Sequence, residues 1–298
     1  MDFALYHSWI GTPYVWWKPG DRVFDVKEPF WTRDGPLPSP EELRTKGCNC
    51  AGFLNLVRRS VGQPALGGTP DWWNAVEKEP FDPEQTYPVG TLFLASYVSP
   101  EDQGHLMLQG PEGVLHSIPS LGLTCQRVPD WEWFGICAHV PVQKWISVPP
   151  AQRLQMLDYT YLYALEGSPY GSHTGEWFNV QAPFWTSNDP LPYPGRDTYN
   201  NAGVGNLARR SAGLPAIGRM ASWWGAYALS GELYRHGTLY PMGTLFLRAY
   251  RGEEDPGHLG ILTPRGVIQS TPDMGVGLGP EEDVWELVVL PEVWLTSS

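Results

Sequence analysis

The chain has 298 residues, a net charge of −12 and 42% hydrophobic residues, an ordinary composition for a globular protein. Its Lys and Arg residues are scattered, so no basic stripe favours nucleic acid or an anionic membrane as a partner. No apolar run approaches the roughly 18 residues of a membrane span, and residues 1–14 lack the basic start and apolar core of a secretory signal.

The predicted elements of the first half begin with a short helix at about 3–10. A loop rich in Pro and Trp follows over 15–46, and the clearest helix of the sequence starts at Cys50. The apolar residues of this helix repeat with helical spacing: Phe53, Leu54, Val57 and Val61. Another helix is predicted over about 70–78. Short strands complete the half, and we predict them at 91–97, 104–109, 113–118 and 134–141.

The second half of the chain repeats the first. Residues 49–67 read NCAGFLNLVRRSVGQPALG, and residues 200–218 read NNAGVGNLARRSAGLPAIG. An initial helix is predicted at 151–166. Equivalent strands are predicted at 243–250, 257–262, 266–270 and 284–290.

This internal duplication predicts two domains, at 1–143 and 152–298, joined by a linker over 143–152. Helices followed by runs of short strands predict an α+β fold, with helices packed on an antiparallel sheet in each half. We expect a monomer whose two halves dock.

The cysteines are Cys48, Cys50, Cys125 and Cys137, and all four lie in the first copy. A disulfide framework would have to be repeated in the second copy, which has no cysteine. Reduced thiols are therefore the simpler interpretation, with a Cys125–Cys137 bridge as the open alternative.

Cys50 is the candidate nucleophile. It opens a helix, where free backbone N–H groups and the helix dipole favour a thiolate and can face an oxyanion. It also belongs to the apolar stripe of its helix, and a buried cysteine is equally typical of a protein core.

Two histidines favour the functional interpretation. A turn over 109–112 pairs Leu108 with Gly113 and thereby predicts that His105 lies directly opposite His116. One imidazole would then take the thiol proton while the other orients it. The second copy has Asn201, His258 and Gln269 at the matching positions, so it is predicted to be catalytically silent.

Together these motifs resemble the NlpC-type cell-wall peptidases, which are papain-like cysteine peptidases. The resemblance is carried by G-T-P-Y-V-W at 11–16, N-C-A-G at 49–52, G-H-L-M-L at 104–108 and a second His eleven residues after His105. It covers residues 1–143 and, more weakly, 152–296. It implies tandem papain-like domains, with Cys50 as nucleophile, His105 as base and His116 as the orienting member of a triad.

The resemblance also implies a substrate and its contacts. The family typically cuts peptidoglycan stem peptides, often between γ-D-glutamate and the diamino acid, without a metal or another cofactor. The implied substrate-binding residues are Tyr14, Trp16, Asn49 and Ala51. The family has Asp and Ser where this chain has Asn49 and Ala51, so either the substrate lacks a free amine or another residue contacts it. The long insert at 17–46 is expected to cover the groove.

Other interpretations stay open. A papain-like hydrolase or toxin would act on another peptide or acyl bond, and the absence of a leader suits a cytoplasmic role, delivery by a phage tail or non-classical export. A zinc site would use Cys48, Cys50, His105 and His116, although Cys-x-Cys is an unusual ligand spacing. A non-catalytic protein would bind cell-wall peptides or glycans, with a groove in the second half lined by Trp177, Trp185, Trp223 and Trp224.

Overall fold

A computed structural model describes residues 1–16, 29–99, 102–127, 129–149, 152–172, 182–187, 190–195, 197–252, 254–279 and 284–296. The fold is mixed α+β with two antiparallel six-stranded sheets, which confirms the predicted class. The chain divides into a first unit, Met1–Pro83 with Val89–Met156, and a second unit, Glu84–Pro88 with Leu157–Ser298. Among the described residues no helix has the length and apolar character needed to cross a membrane.

The first unit combines five helices and one sheet within its described residues. The helices are α1 (Phe3–Ser8), α2 (Pro40–Lys46), α3 (Cys50–Ser60), α4 (Thr69–Ala75) and α5 (Val142–Trp145). The strands are β1 (Glu79–Pro80), β2 (Leu92–Ala95), β3 (Leu106–Gln109), β4 (Val114–Ile118), β5 (Gly122–Gln126) and β6 (Ile136–Val140). Their order in the sheet is β1-β6-β2-β3-β4-β5, and α3 packs on β3 and β4.

The second unit repeats this architecture. Its described helices are α6 (Tyr159–Ala164), α7 (Asn201–Ser211), α8 (Met220–Tyr227) and α9 (Pro291–Trp294). Its strands are β7 (Glu232–Leu233), β8 (Leu245–Arg248), β9 (His258–Thr263), β10 (Gly266–Thr271), β11 (Gly275–Gly279) and β12 (Leu287–Val289). The order β7-β12-β8-β9-β10-β11 matches the first sheet strand for strand, and α7 packs on β9 and β10.

Helix α3 forms where local chemistry favours its start. The Asn49 side chain caps it by accepting a hydrogen bond of 2.8 Å from the backbone N–H of Gly52. A side chain at Gly52 is excluded, because a Cβ atom there would lie 1.7 Å from the carbonyl oxygen of Pro29. The apolar face then buries Phe53, Leu54 and Val57 against the sheet. The first turn of α3 is therefore held at a fixed place above the strands.

The predicted register between β3 and β4 is wrong by two residues. Leu108 pairs with Leu115 rather than with Gly113, because Gly113 has φ of +152° and belongs to the turn. His116 is therefore displaced along the strand and does not lie directly opposite His105. A shift of two residues preserves the face of the sheet, so the two histidines become diagonal neighbours on that face.

Several predicted element boundaries are also wrong. Helix α2 lies inside the predicted loop 15–46, and α5 lies across the start of the predicted linker 143–152. The single helix predicted at 151–166 is replaced by a 3₁₀ turn at Leu154–Met156 and the separate helix α6. Strands β1, β5, β7 and β11 were not predicted. Residues 17–28 of the predicted insert lie outside the described residues.

Candidate active site

Cys50 is the first residue of α3 and lines a cavity in the first unit. The cavity has a volume of about 660 Å³. Tyr14, Trp16, Asn49 and His105 line it as well, so five residues predicted from the sequence lie around one space. Cys50 is only 5% exposed, which places its thiol at the inner wall of the cavity.

His105 is connected to a partly buried chain of hydrogen bonds. Its Nε2 lies 3.0 Å from Nδ1 of His116, and Nε2 of His116 lies 2.8 Å from the side-chain oxygen of Gln126. The amide oxygen only accepts, so His116 carries its proton on Nε2 and accepts through Nδ1. His105 must then donate from Nε2. In neutral His105, Nδ1 therefore keeps the unprotonated lone pair of a base.

The second unit shows which way this lone pair points. Asn201 opens α7 as Cys50 opens α3, and its Nδ2 lies 2.8 Å from Nδ1 of His258. Nε2 of His258 lies 2.7 Å from the side-chain oxygen of Gln269. The second unit therefore joins the helix-start residue to Nδ1 of its histidine. By this equivalence, we infer that Nδ1 of His105 faces Cys50.

An aromatic ring holds the histidine in place in each unit. Phe134 stacks on His105 with ring centroids 4.7 Å apart and an interplanar angle of 15°. In the second unit Trp285 stacks on His258 at 5.4 Å and 21°. Stacking on one face and hydrogen bonding at Nε2 together restrict the rotation of the imidazole.

Burial shifts the pKa values of Cys50, His105 and His116 towards their neutral forms. Burial lowers the pKa of His105 to about 3, helped by charge repulsion from His116, and burial lowers the pKa of His116 to about 4. Burial also raises the pKa of the Cys50 thiol, although hydrogen bonds with the backbone of Leu106 and Ala51 oppose the rise. Burial of Cys50 therefore opposes the thiolate that the helix start favours.

Not every predicted residue lies in the cavity. Ala51 is fully buried within α3 and does not line it. His116 is also fully buried and acts only through His105. Sequence reasoning missed Thr69, which lines the cavity and forms a hydrogen bond with the Cys50 thiol, and it missed Gln126. The duplication contains a sequence signal for both residues, because the second copy has Met220 in place of Thr69 and Gly279 in place of Gln126.

The other predicted cysteine chemistry has little support in the structure. All four cysteines are free thiols. Cys48 is fully buried, and its carbonyl oxygen accepts a hydrogen bond from the Ser117 hydroxyl. In the described part of the chain, no three His, Cys, Asp or Glu side chains cluster closely enough to hold a metal ion.

The tryptophan groove considered for the second unit is wrong for the residues that the structure describes. Trp223 is fully buried and donates a hydrogen bond to Asn206, and Trp185 is 6% exposed. Trp224 is half-buried and does not line the cavity of that unit. Trp177 lies outside the described residues.

Comparison with known proteins adds no relative. No known protein family, no curated protein and no solved structure matches this chain significantly.

Proposed function

We propose that the first unit is a cysteine peptidase or amidase of the papain-like, NlpC type. Its substrate would be a peptidoglycan stem peptide, cut between γ-D-glutamate and the diamino acid. One observation carries the proposal: Cys50 shares a cavity with His105, whose Nε2 is fixed by His116 and Gln126 so that Nδ1 is the basic atom. A nucleophile on a helix start above a sheet that bears the base also supports a papain-like fold.

The reaction would begin with a neutral thiol. The sulfur of Cys50 attacks the amide carbonyl carbon while the thiol proton passes to Nδ1 of His105. Backbone N–H groups in the first turn of α3 would stabilise the oxyanion, and His116 would accept a hydrogen bond from the His105 cation. The carbon–nitrogen bond then breaks, and the proton on His105 moves to the leaving amine, leaving a thioester.

Water completes the cycle. His105 takes a proton from a water molecule as its oxygen attacks the thioester carbonyl. The carbon–sulfur bond breaks, the carboxylic acid is released, and the proton returns to the sulfur of Cys50. One amide and one water thus give one acid and one amine.

The charge around the cavity supports an amine-bearing substrate. Asp102 and Glu132 line the cavity, and none of its described lining residues is Lys or Arg. Trp16 and Trp133, also in the lining, are 58% and 69% exposed and offer aromatic faces to a cation. These groups supply the contact to an ammonium group that Asn49, an amide where the family has a carboxylate, does not.

The test is hydrolysis of a defined stem tripeptide, L-Ala-γ-D-Glu-diaminopimelate, by the full chain. Mass spectrometry should show a dipeptide and the free diamino acid, and Cys50→Ala and His105→Ala should each lower turnover by at least about a hundredfold. Cys137→Ala is the matched control, because Cys137 is an exposed thiol of the same unit that does not line the cavity.

Two results would contradict the proposal. One is hydrolysis that survives Cys50→Ala, since no other residue is assigned as the nucleophile. The other is a folded protein that cleaves neither this tripeptide nor longer stem peptides and forms no acyl adduct on Cys50.

A further inference from the structure

The second unit has its own cavity, with a volume of about 490 Å³. Asn201 and His258 line it, so it occupies the position that the candidate active site occupies in the first unit. The histidine of this cavity does not offer a basic lone pair, because Nδ1 of His258 accepts a hydrogen bond from the side-chain nitrogen of Asn201. The Asn201 side-chain oxygen in turn accepts a hydrogen bond from the backbone N–H of Ala202. The cavity is also within the roughly 300–1,000 Å³ typical of small-molecule sites.

Two arginines line this cavity at positions where the first unit has uncharged residues. Arg219 lies immediately before α8, as Gly68 lies immediately before α4. Arg248 on β8 is the strand partner of His258 on β9. Ala95 holds the equivalent position in the first unit, where its backbone N–H donates a hydrogen bond to the carbonyl oxygen of His105. Both arginines line the cavity, and none of its described lining residues is Asp or Glu. The two cavities therefore have opposite charge.

The described residues engage only part of the Arg248 guanidinium. One terminal nitrogen lies 3.2 Å from Asp255, a carboxylate that also binds Arg251 at 3.1 Å. The Nε atom of Arg248 is buried and has no hydrogen-bond partner among the described residues. The Arg248 side chain is 36% exposed and lines the cavity, so the open part of its guanidinium can donate to an acceptor that a ligand supplies.

We propose that this cavity binds a short peptide through its carboxylate group. The guanidinium fork matches a carboxylate in shape and charge, and Arg219 adds a second cation at the same cavity. Tyr170 and Tyr250 provide aromatic surface in the lining, and Ser172 provides a hydroxyl for the peptide groups. The proposal does not depend on catalysis in the first unit.

The test is calorimetric titration of the full chain carrying Cys50→Ala, which prevents turnover in the first unit. The probes are N-acetyl-Ala-Ala with a free carboxylate, the same dipeptide as its C-terminal amide, and inorganic phosphate. We expect the acid to bind with a dissociation constant in the range of about 1 mM or below and the amide to bind at least about tenfold more weakly.

Variants then assign the site. Arg219→Gly and Arg248→Ala install the residues of the first unit, and each should weaken binding of the acid at least about tenfold. Arg235→Ala is the matched control, an exposed arginine of the same unit outside the cavity. Thermal melting checks folding, and Arg219→Gly, on the surface of a helix start, carries the test if Arg248→Ala unfolds.

Four results would overturn the proposal. One is equal affinity for the acid and the amide, and another is the absence of saturable binding of the acid up to about 10 mM, far above the expected constant. Binding unchanged in both arginine variants would place the ligand elsewhere. Tighter binding of phosphate than of the acid would identify a phosphate site instead.

Discussion

The chemistry of Cys50 depends on burial more than on its place at a helix start. The backbone groups around the sulfur favour a thiolate, but the thiol is almost fully enclosed and its pKa is raised. Burial lowers the pKa of His105 to about 3, which favours the neutral imidazole near pH 7. A neutral thiol beside a neutral base needs a carbonyl substrate before the proton moves.

The first prediction concerns the pH dependence of this thiol. With the pKa of Cys50 raised, the thiolate fraction should grow about tenfold for each pH unit between pH 6 and pH 8. Alkylation of Cys50 by iodoacetamide should therefore accelerate by the same factor, as followed by intact mass and peptide mapping. A rate that stays flat across this interval would reveal a preformed thiolate–imidazolium pair and contradict the neutral site.

Gln126 fixes the tautomer of both histidines through a single acceptor atom. Its oxygen requires a proton on Nε2 of His116, and this in turn requires His105 to donate through Nε2. Without that acceptor, His116 can carry its proton on Nδ1 and no longer accept from His105. Gln126 therefore acts as a positioning residue two hydrogen bonds away from the base.

The second prediction removes this acceptor. Gln126→Leu should slow acylation of Cys50 by p-nitrophenyl acetate about tenfold, because the basic tautomer of His105 loses its support. Stopped-flow absorbance measures the p-nitrophenol burst. Gln126→Glu keeps an acceptor oxygen and should restore most of the rate, which a merely structural role would not require.

The control for this experiment is Gln109→Leu. Gln109 ends β3 in the same sheet, and its side chain donates to the carbonyl of Gly110, away from the two histidines. The Gln109→Leu variant should be acylated at the same rate as the unmodified protein. An equal loss in both glutamine variants would show that the effect comes from the sheet and not from the tautomer.

The sequence pointed to Cys50, because the duplication displays a cysteine that one copy lacks, and the structure places Cys50 and His105 in the lining of one cavity. The sequence did not locate Gln126, which lies on the unpredicted strand β5. Recognising it required the true register of β3 and β4, which depends on the backbone of Gly113 in the turn. Moving a turn of the same length by one residue along the chain shifts every pairing between the two strands by two residues. The amino-acid sequence alone does not distinguish these two registers.

At the scale of elements, one buried asparagine joins α3 to α4 and to the loop before α2. The Asn55 oxygen accepts from the backbone of Leu66 at 2.9 Å and from the Trp72 indole at 3.0 Å. Its nitrogen donates to the carbonyl oxygens of Gly67 and Phe30. The second unit repeats this arrangement around Asn206. An amide thus satisfies backbone groups that the helices and strands leave unpaired.

The third prediction tests this hub. Asn55→Ala should lower the free energy of unfolding of the first unit by about 3 kcal/mol, because several buried groups lose their partners. Cys48 is fully buried, so the urea concentration at which it becomes labelled reports unfolding of that unit. Asn74→Ala, an exposed site on α4, should change the free energy by less than about 0.5 kcal/mol. Equal labelling midpoints in both variants would contradict a structural role for Asn55.

Elements were predicted best where a single pattern controls them. The helical spacing of apolar residues predicts the start of α3 at Cys50, and the structure adds that Asn49 caps this start. The edge strands β1 and β7 are two residues long, too short for any alternation to show. Helix α2 was missed because its Pro-rich surroundings were interpreted as a loop, although Ser39 caps it and Pro40 begins it.

At the scale of the whole molecule, the two units differ more in their cavities than in their frames. The strand order, the asparagine hub and the aromatic ring on the histidine are all repeated. Asn201 replaces the candidate nucleophile, but the second unit keeps a histidine whose Nε2 is held by an amide oxygen, that of Gln269. Gly279 is the counterpart of Gln126 and has no side chain. In the second unit the Gln269 side chain therefore occupies the space that the Gln126 side chain fills in the first unit.

The fourth prediction follows from that retained pair. In a Cys50→Ala chain, Asn201→Cys should create a thiol beside Nδ1 of His258, and p-nitrophenyl acetate should acylate it at least about tenfold faster than when His258→Ala is added. The stem tripeptide should still not be cleaved, because the cavity has Arg219, Met220 and Arg248 where the first unit has Gly68, Thr69 and Ala95. Acylation that does not depend on His258 would show that the second unit has lost its base as well as its nucleophile. Cleavage of the tripeptide would instead show that the cavity lining does not set specificity, and that the missing thiol alone accounts for the silence of the second unit.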